Sequence, residues 1–310
     1  MTQEEIDKKY MQRCIQLARN GWQNAKPNPM VGAVVVSGGR IIGEGYHVRC
    51  GEGHAEVNCL AAVKPADESL LHESTLYVSL EPCSHVGRTP PCADLIIEKR
   101  VPRVVVGCID PFDKVQGRGI RKLQEAGVEV VVGVLENECR ELNKRFFIVH
   151  AAHRPYILLK WAQTADGFLD DHFKPIQIST AFTKMLTHKL RAENDAILVG
   201  RVTAERDHPR LDVREWSGRN PQRFMLSSET SIDEILEECC QKGLQSLLVE
   251  GGRKTLESFM ERDLWDEIRV ETGTMVVGAG TCAPQLPDHQ KLVRLENYDG
   301  NEIVTYERKS

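Results

Sequence analysis

The stretch YVSLEPCSHVGRTPPCADLI, residues 77–96, decides the fold of the first half of this chain. Its apolar run belongs to a predicted buried strand over Thr75–Leu80, and the segment after Cys92 predicts a helix as far as Arg100. Further apolar runs alternate with amphipathic segments on both sides of this stretch. Because strands that alternate with helices form layered domains, the sequence predicts an α/β architecture.

The length of the chain and one proline indicate two domains. At 310 residues the chain exceeds the usual size of a single hydrophobic core. Pro155, in the stretch AAHRP, opposes continuation of the helix predicted over 136–150 and marks a linker. We therefore expect one domain over residues 1–150 and a second, also α/β, over residues 151–310.

Composition and charge are those of a globular protein, with 41% hydrophobic and 27% charged residues. The formal net charge of −5 provides no basic surface for a phosphate backbone, so nucleic acid is not an expected partner. The charged, amphipathic N-terminal segment lacks the apolar core of a signal peptide or membrane anchor. We expect a cytoplasmic protein without membrane contact and with ten reduced cysteines, and the sequence leaves a homo-oligomer open.

One imidazole and two thiols in the first half have the residue types that zinc prefers. His54, Cys83 and Cys92 supply one nitrogen and two sulfur ligands. Three protein ligands leave a fourth position open, where zinc binds water and lowers its pKa towards about 7. Glu56 follows His54 by two residues, which places it in the first turn of a predicted helix as a proton shuttle. The pattern predicts a catalytic zinc site that removes an amino group from a nitrogen heterocycle.

The cysteine spacing leaves alternatives open. The general zinc-deaminase signature has two residues between its cysteines, whereas eight residues, SHVGRTPP, separate Cys83 from Cys92. A structural zinc site would need a fourth protein ligand. Four residues could supply it, although each is more often an ordinary core or surface residue: Cys50, Cys59, His47 and His85. Such a closed site would leave Glu56 without a role.

Four stretches resemble the deaminase half of the bifunctional riboflavin-biosynthesis deaminase–reductases. They are PNPMVGAVVV, GEGHAEVNCL, YVSLEPCSHVGRTPPCADLI and DPFDKVQGRGI. The resemblance implies a cytidine-deaminase-like three-layer α/β domain and deamination of a diaminohydroxyphosphoribosylaminopyrimidine. It also implies that Asn28 and His47 touch the substrate. Arg88, within the insertion between the cysteines, suits the substrate's 5′-phosphate because a guanidinium forms charge-assisted pairs with phosphate.

Three stretches of the second half, in order, resemble the reductase half of the same family. They are PYILLKWAQTADG, RAENDAILVGRVTAERDHPRLDVREW and LLVEGGRKTLESF. The resemblance implies a dihydrofolate-reductase-like fold and hydride transfer from NADPH that converts ribosyl to ribityl. It assigns to the cofactor Thr203, Asp207, Gly252, Arg253 and Lys254. It assigns to the substrate Arg191, Leu211, Arg214 and Glu250.

Two stretches of the second half depart from the family. FLDDHFKPIQIS replaces a longer loop with a Gly-x-Ser-x-Trp-Ile-Thr-like stretch, and SSETSIDE replaces a strand–helix–strand excursion. We therefore expect internal segments to be missing near residues 170–176 and 227–233. A sheet without these strands would expose unpaired edges.

Three other functions stay open on the sequence alone. One is a tRNA or nucleotide deaminase with an unrelated C-terminal half, which the acidic charge and the spaced cysteines oppose. Another is a deaminase whose reductase-like domain is inactive. The third is a zinc-stabilised binding module that catalyses neither reaction.

Overall fold

The computed structural model describes residues 1–84, 90–112 and 116–309, and Arg88 and His85 therefore lie outside the described residues. The chain divides into two compact units, Met1–Ala151 and Ala152–Ser310. Each unit has a β-sheet and a hydrophobic core of its own. Among the described residues, no helix combines the length and the hydropathy that crossing a bilayer requires.

The first unit contains a five-stranded sheet in the order β2-β1-β3-β4-β5, in which β1 pairs antiparallel with both neighbours and β3, β4 and β5 are parallel. Its strands are β1 Gly32–Ser37, β2 Arg40–Tyr46, β3 Thr75–Leu80, β4 Arg103–Cys108 and β5 Glu129–Val132. Its helices are α1 Gln3–Ala18, α2 Ala55–Ala61, α3 Cys92–Glu98, α4 Arg118–Glu125, α5 Glu136–Leu142 and α6 Lys144–Ala152. Apolar clusters cover both faces of this sheet.

The position of α2 depends on a glycine in the neighbouring strand. A Cβ atom on Gly45 of β2 would lie 2.4 Å from the backbone nitrogen of Cys59 in α2. Only a residue without a side chain permits this approach, because real Cβ contacts are never so short. The helix α2, whose N-cap is His54, thereby packs closely against β2.

The single helix predicted over 136–150 is wrong, since α5 ends at Leu142 and α6 begins at Lys144. Asn143 between them has φ −118°, outside the helical region. Its side-chain amide is hydrogen-bonded to the main chain of Met30. A tertiary contact thus interrupts a segment whose local pattern is helical.

The second unit contains a seven-stranded mixed sheet in the order β11-β12-β10-β6-β9-β7-β8. Its strands are β6 Tyr156–Gln163, β7 Ala196–Gly200, β8 Gln222–Leu226, β9 Ser246–Val249, β10 Glu267–Thr272, β11 Gln290–Tyr298 and β12 Asn301–Arg308. Its helices are α7 Ala181–Glu193, α8 Arg201–Asp207, α9 Ile232–Gln241 and α10 Arg253–Glu261. The central strands are buried and parallel, as their continuous apolar runs predict.

The two short stretches of the second unit are continuous connections. Ser227 to Ser231 joins the edge strand β8 directly to α9. Residues 164–174 are hydrogen-bonded to residues 275–283, for example from Leu169 N to Thr281 O at 2.8 Å. The expected absence of internal segments near residues 170–176 and 227–233 stays a prediction.

Candidate active sites

The three predicted zinc ligands meet in the first unit. His54 is the N-cap of α2, Cys83 follows the end of β3, and Cys92 is the first residue of α3. The Nδ1 atom of His54 lies 3.5 Å from the Cys83 sulfur and 3.4 Å from the Cys92 sulfur. All three ligand atoms lie within 4.8 Å of one another. Residues from three separate elements thus form one cluster.

The cluster has the dimensions of a tetrahedral zinc site. Zinc bound at about 2.3 Å to sulfur and about 2.05 Å to nitrogen separates these ligand atoms by about 3.6 Å. The observed separations of 3.5 and 3.4 Å are close to that value. Among the described residues, this group contains no fourth protein ligand. The geometry therefore fits a catalytic zinc ion with an open position.

The electrostatics of the cluster also favour a cation. Hydrogen bonds from the Cys92 thiol, then from His54 and the Cys92 backbone N–H, lower the pKa of Cys83 despite its burial. The adjacent Cys83 sulfur, together with burial, raises the pKa of Cys92. One thiolate thus opposes ionisation of its neighbour. A divalent cation removes this conflict because it stabilises both thiolates.

Glu56 lies beside the ligands in the first turn of α2 and is only 3% exposed. Burial, and then the neighbouring Cys83 sulfur, raises its pKa to about 7. A carboxyl group with a pKa near neutrality can both accept and donate a proton at physiological pH. The position and the pKa of Glu56 thus suit the predicted proton shuttle.

Asn28 and His47 form a hydrogen-bonded pair next to the cluster. The His47 ring packs edge-on against the His54 ring with centroids 5.4 Å apart. Its Nδ1 lies 3.1 Å from the carbonyl oxygen of Gly53, and its Nε2 lies 3.1 Å from Asn28 Nδ2. A carbonyl can only accept, so Nδ1 carries the proton and Nε2 accepts from the amide. Burial lowers the pKa of His47 and favours this neutral form.

Glu81 has a role that the sequence analysis did not assign. Its buried carboxylate accepts hydrogen bonds from the backbone N–H groups of Gly117 and Gly119, both at 2.9 Å. It therefore holds the start of α4 against the chain that leads from β3 to Cys83. A Cβ on Gly119 would lie 1.9 Å from the Pro82 carbonyl oxygen, so this contact needs glycine. The only local sequence feature that could have indicated this role is an acidic residue at the end of an apolar run.

In the second unit, two residues assigned to the substrate bind each other. Arg191 donates from Nε and Nη2 to the two carboxylate oxygens of Glu250 at 2.9 and 2.7 Å. Their side chains are 12% and 11% exposed. Arg191 Nη1 also donates to the carbonyl oxygen of Asp212 at 3.3 Å, next to buried Leu211. Arg214 lies on the same loop and pairs with the Asp212 carboxylate.

The residues assigned to the cofactor lie around two helix termini. Gly252 is the N-cap of α10, which has no side-chain cap, and Arg253 and Lys254 occupy its first turn. A Cβ on Gly252 would lie 3.0 Å from the hydroxyl oxygen of Thr203 on α8. Thr203 therefore lies directly beside the start of α10, and the N-terminus of a helix suits a phosphate of NADPH. Asp207 ends α8 and accepts from Arg206 at 2.7 Å.

Two known families match successive parts of the chain. Residues 4–108 match the cytidine and deoxycytidylate deaminase zinc-binding region. Residues 155–304 match the RibD C-terminal domain. The first match includes His54, Glu56, Cys83 and Cys92, and the second includes every residue that we assigned to the reductase.

Relatives that match both halves include two bacterial proteins named riboflavin biosynthesis protein RibD. The one from Aquifex aeolicus is 38% identical and covers 89% of this chain and 89% of its own length. The one from Bacillus amyloliquefaciens is 33% identical over 91% of this chain and 88% of its own length.

A solved structure from Thermotoga maritima is also similar over the whole chain. It is described as a diaminohydroxyphosphoribosylaminopyrimidine deaminase/5-amino-6-(5-phosphoribosylamino)uracil reductase. It is 32% identical with a TM-score of 0.89, over 99% of this chain and 100% of that one. Zinc and NADPH are the cofactors of the two matched domains. The chain belongs to the RibD family of riboflavin biosynthesis, and it is a bifunctional enzyme with a zinc-binding deaminase domain followed by a reductase domain.

Proposed function

We propose that the first unit removes the 2-amino group of a diaminohydroxyphosphoribosylaminopyrimidine and that the second unit then reduces the ribosyl group of the product to ribityl. The observation that carries this proposal is the cluster of His54, Cys83 and Cys92 with the buried carboxyl of Glu56 beside it. The reductase unit in the same chain supplies the second step. The compounds in the description of the Thermotoga maritima protein support this order.

In the deaminase unit, His54, Cys83 and Cys92 hold zinc, which when bound supplies a Lewis acid that makes water nucleophilic near neutral pH. Glu56 accepts a proton from the attacking water and delivers it to the departing amine. Its burial and its raised pKa suit both halves of this transfer. Asn28 and His47 contact the substrate, and neutral His47 also fixes the orientation of the Asn28 amide.

In the reductase unit, Thr203, Asp207, Gly252, Arg253 and Lys254 bind NADPH, which supplies the hydride for reduction at the sugar C1′. Glu250, Leu211 and Arg214 bind the substrate. Arg191 also binds the substrate, while three of its five N–H groups donate to Glu250 and to the main chain of Asp212. Its ion pair keeps the pKa of Glu250 below the ordinary value, although burial acts in the opposite direction. Glu250 therefore stays a carboxylate at neutral pH.

The remaining proposals concern partners and location. The protein acts on a small molecule in the cytoplasm without binding nucleic acid or a membrane, and a homo-oligomer is compatible with it. The net charge of −5 supports the absence of nucleic acid. A deaminase with an inactive reductase-like unit is the second candidate, because the loop with the Gly-x-Ser-x-Trp-Ile-Thr-like stretch is replaced by residues 168–179.

A product assay tests the proposal and separates it from its rivals. The zinc-loaded protein is incubated with the diaminopyrimidine phosphate, with and without NADPH, and ammonia and oxidised NADPH are measured. We expect ammonia in both samples and oxidation of NADPH in the second. Ammonia alone would indicate an inactive reductase unit. Full zinc occupancy without ammonia would contradict the deaminase assignment and favour the zinc-stabilised binding module.

A further inference from the structure

The substrate loop of the deaminase unit, residues 27–31, is held by a side chain that is distant in sequence. The backbone N–H of Met30 donates to Asn143 Oδ1 at 2.8 Å, and Asn143 Nδ2 donates to the Met30 carbonyl oxygen at 2.8 Å. Asn143 is 4% exposed and lies between α5 and α6. One side-chain amide therefore pairs with Met30 as a neighbouring β-strand would.

This pairing fixes the loop at a point where no strand does so. Met30 precedes β1, which begins at Gly32, so no neighbouring strand pairs with its main chain within the sheet. The same loop is attached to His47 twice: His47 N donates to Val31 O at 2.9 Å, and Asn28 Nδ2 reaches the His47 ring. Met30 lies between these two attachments. Asn143 thus supplies an anchor for the backbone that carries Asn28.

The anchor comes from outside the part of the chain that matches the deaminase family. That match ends at residue 108, whereas Asn143 lies 35 residues further along, counting from 108 to 143. Asn143 lies at the break between α5 and α6, where its side chain reaches the main chain of Met30. The helices after β5 therefore contribute to the deaminase site as well as leading to the second unit.

We propose that Asn143 is a positioning residue for deamination, which holds the substrate loop so that Asn28 meets the heterocycle. This inference rests on the proposed function, since it takes Asn28 as a substrate ligand. Asn143 touches neither the zinc ligands nor Glu56 in any described contact. Loss of the anchor displaces a binding residue, and displacements of about 1 Å reduce catalysis by as much as about 10²-fold.

A double-mutant cycle distinguishes positioning from a merely structural role. We expect Asn143→Ala to lower kcat/KM for ammonia release on the order of 10-fold, with unchanged zinc content and unchanged NADPH oxidation from the deaminated intermediate. In the Asn28→Ala background the same change should cost less than about 2-fold, because coupled residues are not additive. Equal penalties in both backgrounds would overturn the proposal.

A second measurement does not depend on activity. Amide hydrogen exchange at Met30 should accelerate at least about 10-fold in Asn143→Ala, while exchange in β3 and β4 stays unchanged. Glu141→Ala, an exposed change on α5, is the matched control and should alter neither exchange nor kcat/KM. If Asn143→Ala does not fold, Asn143→Ser replaces it in both experiments. Unchanged exchange at Met30 in the folded variant would also overturn the proposal.

The two measurements separate failure of this inference from failure of the proposed function. If the wild-type protein releases no ammonia from the aminopyrimidine, the proposed function fails and positioning for that reaction fails with it. If the wild type is active but the cycle is additive, only the role of Asn143 is wrong. Local acceleration of exchange together with coupling to Asn28 supports both.

Discussion

The side chains of the deaminase unit indicate its cofactor much more directly than those of the reductase unit do. In the deaminase unit, His54, Cys83 and Cys92 meet, and their arrangement conflicts electrostatically unless a cation is present. In the reductase unit, several of the assigned charged residues form ion pairs within the protein, as in Arg191 with Glu250 and Arg253 with Glu257. The thiols of the first site need a cation to compensate their charge. In the second site, the charges of the paired residues compensate each other within the protein.

This difference follows from what each cofactor requires. Zinc binds nitrogen and sulfur atoms in a tetrahedral arrangement, so a few residue types identify its site. The phosphates of a dinucleotide are held largely by backbone N–H groups at helix termini, and Gly252, the N-cap of α10, is proposed to take part in such a site. Such features depend on the fold more than on residue identity. The sequence therefore predicts the metal site more reliably than the nucleotide site.

The largest expected effect tests whether the two sites work separately. Glu56→Gln should retain zinc but lower ammonia release by about 10²-fold or more, because the amide hydrogen-bonds water but cannot carry its proton. Reduction of the deaminated intermediate should be unchanged. Zinc analysis and both activities measure this outcome. Near-normal ammonia release would refute the role of Glu56.

The next effect concerns Arg88, which lies outside the described residues. If its guanidinium holds the 5′-phosphate, the pair contributes roughly 1.5–3 kcal/mol, and Arg88→Ala should lower deaminase kcat/KM about 10- to 150-fold. Zinc content should not change. The penalty should shrink sharply with a dephosphorylated substrate. An equal penalty on both substrates would mean that Arg88 only supports its loop.

A smaller effect compares a buried ion pair in each half. Glu250→Gln should lower reductase kcat/KM by about 10-fold. The variant removes the carboxylate that binds the substrate, and Arg191 loses its charged partner. Its counterpart is Asp7→Asn, which breaks the pair between Asp7 and Arg103 in the deaminase unit. That change should leave ammonia release within about 2-fold of wild type. A loss of deamination comparable to the reductase loss would contradict the contrast between the two pairs.

The smallest expected effect is the pH dependence of the Asp7 pair. Hydrogen bonds from Arg103, Gln3 and Tyr77 outweigh burial and hold the pKa of Asp7 below its ordinary value. The stability from this pair is therefore complete above about pH 4 and is lost as the pH falls through the lowered pKa. Urea unfolding at several pH values should show Asp7→Asn about 1–3 kcal/mol less stable at pH 7. The difference should diminish in acid, and a constant difference would contradict the assignment.

The sequence predicted those elements of the fold that have a strong local pattern. The strand over Thr75–Leu80 has the predicted bounds. The strands at the other edge of the second sheet lack such a pattern. The edge strand β11 is largely exposed, so no buried run marks it. β8, in which only Phe224 is buried, likewise has no buried run that would predict a strand.

The same limit applies to the sites. The zinc ligands were identified from residue type and order, which the sequence displays directly. The contacts of Glu81 and Asn143 join a side chain to distant backbone groups. Backbone N–H and C=O groups are alike at every residue, so no local motif announces such partners. The ion pair between Arg191 and Glu250 likewise could not be predicted from the sequence, because the two residues are 59 positions apart and only the fold brings them together.

We propose that two separate active sites in this chain act in sequence on one compound. The most direct measurement follows NADPH oxidation by Glu56→Gln, given first the diaminopyrimidine phosphate and then its deaminated product. We expect almost no oxidation with the amino compound and the wild-type rate with the deaminated one. Rapid oxidation with the amino compound, or none with its deaminated product, would show that the two reactions do not occur in this order at two separate sites.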